Sequence, residues 1–297
     1  MEFKKSKKLS YCYLAAVYIL ALAVAVLCYN FMPTNIVLLK VLAADVCATS
    51  VVYLGSLIIN NSSVYDPYWS VQPIVIVVGL AIENGLNSVL KVFALIVVIL
   101  WGIRLTANWA YTFKNLTKED WRYKMFREKT GDYYPFVDLF GIHLFPTFVV
   151  YACMMPVIYV FTKPASVNAG SIIFYVIAFG AVVLQTISDT ELHSFKKRGE
   201  RGIIKEGAWK YIRHPNYLGE IVFWWAIMFA TFCAKPSTAY MFIGAIALTL
   251  MFVFFSAPVA DLRQSRKKGF EEYKEKTDAL IPIKLIANKF KAAAKDE

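Results

Sequence analysis

Histidine, cysteine and charged side chains are all scarce in this chain of 297 residues. It contains three histidines and five cysteines, and only 18% of its residues are charged. The cysteines stand singly inside apolar segments, without the paired spacing of a zinc site or a disulfide framework. The sequence therefore predicts no metal site and no structural disulfide. The cysteines are Cys12, Cys28, Cys47, Cys153 and Cys233.

The sequence also lacks internal repeats, low-complexity tracts and long linkers rich in proline or glycine. Its 14 glycines and 11 prolines are spread along the chain, so no composition change marks a boundary between domains. We therefore expect a single membrane domain over residues 1–297. The sequence gives no prediction of the oligomeric state.

Long apolar runs are what the chain has in abundance. Hydrophobic residues make up 58% of it and the mean hydropathy is +0.51, which lies outside the range of soluble proteins. The predicted fold class is therefore all-α, a polytopic transmembrane helical bundle of about seven or eight spans. Runs that can cross about 30 Å of hydrocarbon lie near 11–31, 36–59, 87–113, 139–161, 170–192 and 238–259, with shorter candidates at 71–83 and 217–234.

The net charge of +11 would suit nucleic-acid binding if the basic residues formed one patch. They lie instead between the apolar runs, and in an eight-span arrangement 27 of the 32 lysines and arginines fall on the side of the N-terminus. Because cytosolic loops carry the excess of Lys and Arg, we expect both termini in the cytosol. The expected partner is the membrane, with no nucleic acid.

The first apolar run is long for a signal peptide, and no clear cleavage site follows it, so we expect a retained span. An integral multi-pass protein is therefore predicted, in the endoplasmic reticulum of a eukaryote or the plasma membrane of a bacterium.

Arg104 is a charged residue inside the predicted span 87–113. It shares a helical face with Asn108, four residues further on. A charge inside a span is costly and is often functional, but a long arginine side chain can also reach the headgroup phosphates. Arg104 and Asn108 are therefore candidates for a cofactor contact or for an interfacial anchor.

Polar residues also approach the cytosolic end of the predicted span 170–192. Gln185 and Asp189 lie there, and Lys196 begins a short basic run. A carboxylate at this position suits hydrogen bonds from a ribose hydroxyl or an amide, and the basic run suits phosphates. An ion pair for Asp189 and a topology signal for the basic run are the alternatives.

The segment 207–220, GAWKYIRHPNYLGE, crowds polar residues where the chain enters the membrane. Pro215 suits the first turn of a helix, and a helix N-terminus beside a basic side chain is a natural cradle for an anion. Capping and packing of that helix is the alternative. The candidate cofactor-binding residues here are Tyr211, Arg213, His214, Asn216, Tyr217 and Glu220.

The stretch 62–73, SSVYDPYWSVQP, puts a carboxyl and phenols next to predicted spans. Buried side chains of these types can donate protons. Asp66 and Tyr65 are therefore the candidate catalytic residues. A further stretch at 119–129, EDWRYKMFREK, suits an interfacial amphipathic helix.

In order and spacing, SDTELHSFKKRGE, GAWKYIRHPNYLGEI and FEEYKEKTDALIP resemble motifs of the steroid 5-alpha-reductase superfamily. YDPYWS, WGIRLTANW, EDWRY and FGIHLFPT further resemble its microbial and protist branch, so the resemblance begins at about residue 62. It implies a cofactor-binding part at 114–285, which we expect between the N-terminal helices at 11–113 and a basic tail at 286–297.

Members of that superfamily use NADPH to reduce a carbon–carbon double bond conjugated to a carbonyl in a steroid or another lipid. The resemblance implies cofactor contacts for Asp189, Asn216, Tyr217 and Tyr273, and a phosphate contact for Lys196. Gln185 stands where the superfamily has Asn. The steroid enzymes also place a Glu and a Tyr near the substrate carbonyl, and Asp66 is the expected counterpart of the acid.

The resulting expectation is an NADPH-dependent oxidoreductase acting on CH–CH groups of a steroid-like or other lipid. RHPNY also resembles the isoprenylcysteine and phospholipid methyltransferases, which bind S-adenosylmethionine. Those enzymes have adjacent glutamates before the FEEY-like segment, whereas this chain has Ala260 and Asp261. A non-catalytic sterol-binding protein on the same fold is the third candidate.

Overall fold

The computed structural model describes residues 2–200 and 202–284, and within these ranges the protein is all-α, as predicted. The expected basic tail at 286–297 lies outside the described residues. Short 3₁₀ and π-helical turns join several helices. The α-helices are α1 (Lys7–Phe31), α2 (Val37–Ile59), α3 (Tyr68–Asn84), α4 (Val89–Thr112), α5 (Trp121–Thr130), α6 (Tyr134–Val137), α7 (Phe145–Thr162), α8 (Ala169–Lys197), α9 (Pro215–Ala234), α10 (Phe242–Met251), α11 (Ala257–Gln264) and α12 (Phe270–Lys276).

Within the described ranges, seven helical stretches are long and apolar enough to cross a membrane. The shorter predicted run at 71–83 forms α3, which has 17 residues and rises about 26 Å, less than a hydrocarbon core of about 30 Å. The predicted count of seven or eight is therefore confirmed, while the side on which each terminus lies stays a prediction. The seven stretches are Lys7–Phe31, Val37–Ile59, Val89–Thr112, Trp121–Thr162, Ala169–Lys197, Pro215–Ala234 and Pro236–Gln264.

The chain divides into two compact units, Met1–Val167 and Asn168–Glu297. This division lies after Val167, whereas the resemblance placed the start of the cofactor-binding part at residue 114. That the chain acts as one membrane domain stays a prediction.

In the first unit, α1 packs against α2, and α3 packs against α4 and α7. The core between α1 and α2 continues into the loop before α3, where Tyr65 is buried, and into the first turn of α3, where Tyr68 is buried. The stretch predicted to be amphipathic begins α5, whose N-cap is Asp120. A π-helical segment, Asp138–Leu144, leads into α7.

In the second unit, α8 and α9 lie side by side. Gly219 permits this approach, because a Cβ atom there would lie 2.5 Å from Cγ of Gln185. Helix α9 begins at Pro215, as predicted. After α12 the chain returns to the start of α9, where the amides of Arg213 and His214 donate to the carbonyls of Asp278 and Ala279 at 2.9 and 3.1 Å. The second unit thus gathers the predicted cofactor motifs at one end.

Candidate functional site

The segment 207–220 is fixed at its start to the end of α8. Gly207 has a left-handed φ of +56° and lies against the carboxylate of Glu191. An oxygen of that carboxylate accepts a hydrogen bond from the amide of Ala208 at 3.0 Å, and Trp209 Nε1 donates to the carbonyl of Ser188 at 3.0 Å. Glycine is needed here because the left-handed backbone and the close carboxylate both disfavour a side chain.

Tyr273, the tyrosine of the FEEY motif, holds the middle of the same segment. Its hydroxyl donates to the carbonyl of Trp209 at 2.5 Å and lies 3.3 Å from that of Ile212. Burial raises the pKa of Tyr273, so the hydroxyl keeps its proton and its donor function. Tyr273 therefore positions the segment as well as lining the pocket beside it.

Arg213 and His214 share one carboxylate, that of Asp261 on α11. Arg213 Nη2 donates to Asp261 Oδ2 at 2.9 Å, and His214 Nε2 lies 2.9 Å from Asp261 Oδ1. Arg213 also donates to the carbonyl of Thr277 and is only 8% exposed. The donors of Arg213 are thus used to join the start of α9 to α11 and to the end of α12.

A cationic pocket of about 480 Å³ lies beside this joint. Lys267 Nζ donates to the carbonyl of Gly202 at 2.8 Å. Burial and the neighbouring charges of Lys196 and Arg263 lower the pKa of Lys267. Among the described residues Gln264 Oε1, a buried acceptor on the pocket wall, has no hydrogen-bond partner. The predicted cofactor residues that line the pocket are Lys196, Arg213, His214 and Tyr273; Gln264, Lys267 and Lys268 also line it and were not singled out from the sequence.

A second group of predicted residues lies along α8 and α9. Asn216 Nδ2 donates to Asp189 Oδ1 at 3.4 Å, and the rings of His214 and Tyr217 stack with centroids 5.1 Å apart. Asp189 and Asn216 are thus brought together, as a shared cofactor contact requires.

The other predicted cofactor residues are dispersed. Glu220 accepts from Trp224 Nε1 at 3.1 Å, Tyr211 is 49% exposed, and Gln185 packs against Gly219. None of these three lines the cationic pocket within the described ranges. Arg104 and Asn108 belong to α4 of the first unit.

The first unit holds an apolar cavity of about 490 Å³ between α1, α2 and α3. Its walls are formed largely by small and aliphatic side chains, among them Ala21, Ala44 and Ala48. Val26 and Leu22, which also line it, are 49% and 43% exposed. On membrane-spanning helices, exposed apolar side chains face lipid. The cavity is therefore suited to an apolar ligand that enters from the bilayer.

Three polar side chains converge at one end of this cavity. Tyr68 OH donates to Asp45 Oδ1 at 3.3 Å, and Gln72 Nε2 donates to Asp45 Oδ2. Asp45 is 4% exposed and Gln72 is 5% exposed. Gln72 Oε1 has no hydrogen-bond partner among the described residues. An apolar pocket with a few convergent polar groups is typical of a small-molecule site.

Sequence reasoning had passed over Asp45 and Gln72. The signal for Asp45 was present, because a lone carboxyl inside the predicted span 36–59 is a functional candidate by default. Gln72 gave no such signal, since an uncharged amide near a span end is common.

Asp66, one of the two predicted catalytic residues, is hydrogen-bonded to Tyr123. Its Oδ1 accepts from Tyr123 OH at 2.8 Å, and burial raises the pKa of Asp66 to about 7. The residues that line the apolar cavity include Asp45 and Tyr68 but, within the described part of the chain, not Asp66 or Tyr65. Two acids line the cavity: Asp45, which is buried, and Glu83, which is exposed and accepts a hydrogen bond from Tyr29 OH at 2.7 Å.

Tyr65, the other predicted catalytic residue, lies directly behind Tyr68, with ring centroids 5.5 Å apart. Its hydroxyl lies 2.8 Å from that of Thr147, which lies 3.1 Å from that of Thr49. The ring of Tyr65 packs against His143 at 4.9 Å. Tyr65 thus belongs to a buried hydroxyl network that supports the polar end of the cavity.

Together, the fold and the two pockets define an all-α membrane-type protein with an apolar cavity in one unit and a cationic pocket in the other. Residues 52–277 match the model of the family described as Protein of unknown function (DUF1295), and the chain belongs to that family. No curated protein and no solved structure matches the chain.

Proposed function

We propose that this protein is an NADPH-dependent reductase of a carbon–carbon double bond conjugated to a carbonyl in a steroid or another lipid. In this proposal its family is a branch of the steroid 5-alpha-reductase superfamily. The observation that carries it is the convergence of Asp45, Tyr68 and Gln72 at one end of an apolar cavity.

The polar end of the cavity has the groups that an enone carbonyl needs. Addition of hydride to the β-carbon moves the electron pair of the double bond toward the carbonyl oxygen, and an enolate develops. Donors placed at that oxygen stabilise the charge. The one proton of the Tyr68 hydroxyl points to Asp45 when no substrate is bound, so in this proposal a protonated Asp45 donates to the Tyr68 oxygen and Tyr68 turns its own proton to the carbonyl. A proton then reaches the α-carbon, so that one hydride and one proton give the saturated ketone. Asp45 and Tyr68 are the proposed proton source.

The positive charges of the pocket in the second unit complement the negative charges of the cofactor. Bound NADPH would supply the hydride, while the protein supplies position and electrostatics. Lys196, Lys267 and Lys268 line the cationic pocket, and NADPH carries several negative charges on its phosphates. Gln264 Oε1 offers a buried acceptor to an amino or hydroxyl group of such a ligand.

The same charges argue against the methyltransferase alternative. S-adenosylmethionine carries a sulfonium cation and no phosphate, so a pocket lined by three lysines repels it more than it attracts it. The remaining alternative, a non-catalytic sterol-binding protein, uses the apolar cavity alone.

A parallel titration of the detergent-solubilised protein separates the three classes. At a concentration of about 100 times the dissociation constant, a ligand of the native state adds roughly 2.7 kcal/mol to its stability. We expect NADPH to raise the thermal unfolding midpoint and S-adenosylmethionine to leave it unchanged. Stabilisation by S-adenosylmethionine alone would establish the methyltransferase, and stabilisation by neither would leave the binding protein.

A second experiment tests the acid at the cavity. With cholest-4-en-3-one as probe, oxidation of NADPH is followed by its absorbance for wild type, Asp45→Asn and Asp66→Asn. We expect Asp45→Asn to lose turnover by about two orders of magnitude or more, as for loss of a general acid, with NADPH stabilisation unchanged. Asp66→Asn is the matched carboxyl outside the cavity and should keep most of the turnover. Loss of turnover in Asp66→Asn but not in Asp45→Asn would instead identify Asp66 as the catalytic acid.

A further inference from the structure

Three lysines lie together at the mouth of the cationic pocket. Lys196 lies at the end of α8, and Lys267 and Lys268 lie between α11 and α12. All three are exposed to solvent. Clustered like charges destabilise one another unless an anion lies between them.

The acids that line the same pocket are already engaged. Glu200 forms an ion pair with Arg198, and Asp261 serves both Arg213 and His214. Neither carboxylate is therefore free to compensate the lysines.

Neighbouring cations act on Lys267, and an acid acts on Lys196. The charges of Lys196 and Arg263 help to lower the pKa of Lys267, which indicates that these cations lie close together. Asp189 is the acid whose charge acts on Lys196. Lys267 donates to the carbonyl of Gly202, a neutral partner that positions the ammonium group without removing its charge.

The start of α9, which the sequence suggested as an anion cradle, has donors with other partners, since the amides of Tyr217 and Leu218 both donate to the carbonyl of His214 at 3.1 Å. The amides of Arg213 and His214 donate to the carbonyls of Asp278 and Ala279. The side chain of Arg213 is held by Asp261. Phosphate groups that enter this pocket therefore find their charge complement at the lysines.

We infer that Lys196, Lys267 and Lys268 bind the phosphates at the adenosine end of the cofactor and that Lys267 and Lys268 recognise the 2′-phosphate that distinguishes NADPH from NADH. The inference rests on the proposed function for the identity of the cofactor. The exposed position of the lysines suits the most highly charged end of NADPH. The buried acceptor Gln264 Oε1, on the wall of the same pocket, suits the amino group of adenine or a ribose hydroxyl.

The test compares four nucleotides on the full-length protein in detergent without added lipid. Dissociation constants for NADPH, NADH, 2′,5′-ADP and 5′-ADP are measured by quenching of tryptophan fluorescence for wild type and Lys267→Gln, and again for Lys268→Gln. The matched control is Lys276→Gln, which removes the same charge from α12 where Lys276 pairs with Glu272 and, within the described residues, does not line the pocket.

We expect Lys267→Gln and Lys268→Gln each to weaken the binding of NADPH and 2′,5′-ADP by about tenfold, which corresponds to the loss of one charge-assisted hydrogen bond. The dissociation constants of NADH and 5′-ADP should change by less than about twofold. In the control variant, all four dissociation constants should change by less than about twofold. The unfolding midpoint without nucleotide should not fall, because the lysines are exposed and each substitution removes like-charge repulsion.

Other outcomes overturn the inference in distinguishable ways. Equal weakening of NADPH and NADH binding would indicate that the lysines contact the pyrophosphate, which both dinucleotides contain. It would refute recognition of the 2′-phosphate. No weakening of either would refute phosphate binding by these lysines. If the wild-type protein binds neither dinucleotide, the proposed function itself fails. If it binds both and the substitutions do not discriminate, only the present inference fails.

Discussion

Alanine at position 207 tests whether Glu191 fixes the start of segment 207–220. Gly207 has φ of +56°, and a Cβ atom there would overlap Oε1 and Cδ of Glu191. The carboxylate would have to move away. It would then lose the hydrogen bond that it accepts from the amide of Ala208.

The expected cost has two parts. A left-handed backbone costs an L-residue about 1–2 kcal/mol, and loss of a charge-assisted hydrogen bond costs about 1.5–3 kcal/mol, so Gly207→Ala should lower the unfolding free energy by about 3–4 kcal/mol. Gly199→Ala is the matched control, because Gly199 has φ of +76° and a Cβ atom there would meet nothing within 4 Å. Only the backbone cost applies there. The difference of about 2 kcal/mol corresponds to about 4–8 °C in unfolding midpoint.

The assay is thermal unfolding in detergent, followed by tryptophan fluorescence at one scan rate because such unfolding is often irreversible. A third variant, Glu191→Ala, completes a double-mutant cycle. In its background Gly207→Ala should cost no more than Gly199→Ala does in the wild type. Equal shifts for the two glycine variants in the wild-type background would refute the reasoning, because the Glu191 contact would then contribute nothing.

Two further substitutions probe partly buried carboxylates. Asp261→Asn removes the anion that Arg213 contacts at 2.9 Å. Because Arg213 is buried, the substitution leaves a buried cation without its counter-charge, and we expect a fall of several degrees in the unfolding midpoint. A shift below 1 °C would contradict the stabilising role of this ion pair. Burial raises the pKa of Asp66 from 3.8 to about 7, so the folded state binds this proton more tightly than the unfolded state and the stabilisation is lost as pH rises through about 7. Asp66→Asn should therefore flatten the dependence of the unfolding midpoint on pH between about 4 and 8, and a profile parallel to that of wild type would contradict a raised pKa of Asp66.

The helical spans were predictable because each apolar run has to satisfy its own backbone hydrogen bonds in hydrocarbon. The start of α9 at Pro215 was predictable for a related reason, since proline lacks the amide that a first turn leaves unpaired. The position of Arg213 at a joint with Asp261 was not, because the two residues are 48 positions apart and nothing in the local sequence pairs them.

The cavity in the first unit shows the same limit. Asp66 and Tyr65 were chosen from a local cluster of polar residues, but the cavity is lined by Asp45 and Tyr68, which meet across two helices. Asp45 was detectable as a charge inside a span, while its partner Gln72 was not. Only packing decides which polar residues near a span face the same space.

The sequence by itself determined that the protein is all-α and built for a membrane, and where its spans and its polar motif at 207–220 lie. These properties follow from hydropathy and local backbone chemistry, which act over one or two helical turns. The tertiary structure alone decided that Arg213 is neutralised by Asp261, that Lys267 and Lys268 join Lys196 at one pocket, and that Asp45 is a buried acid beside the apolar cavity. These depend on contacts between helices distant in sequence, where burial and charge pairing fix the function of each side chain.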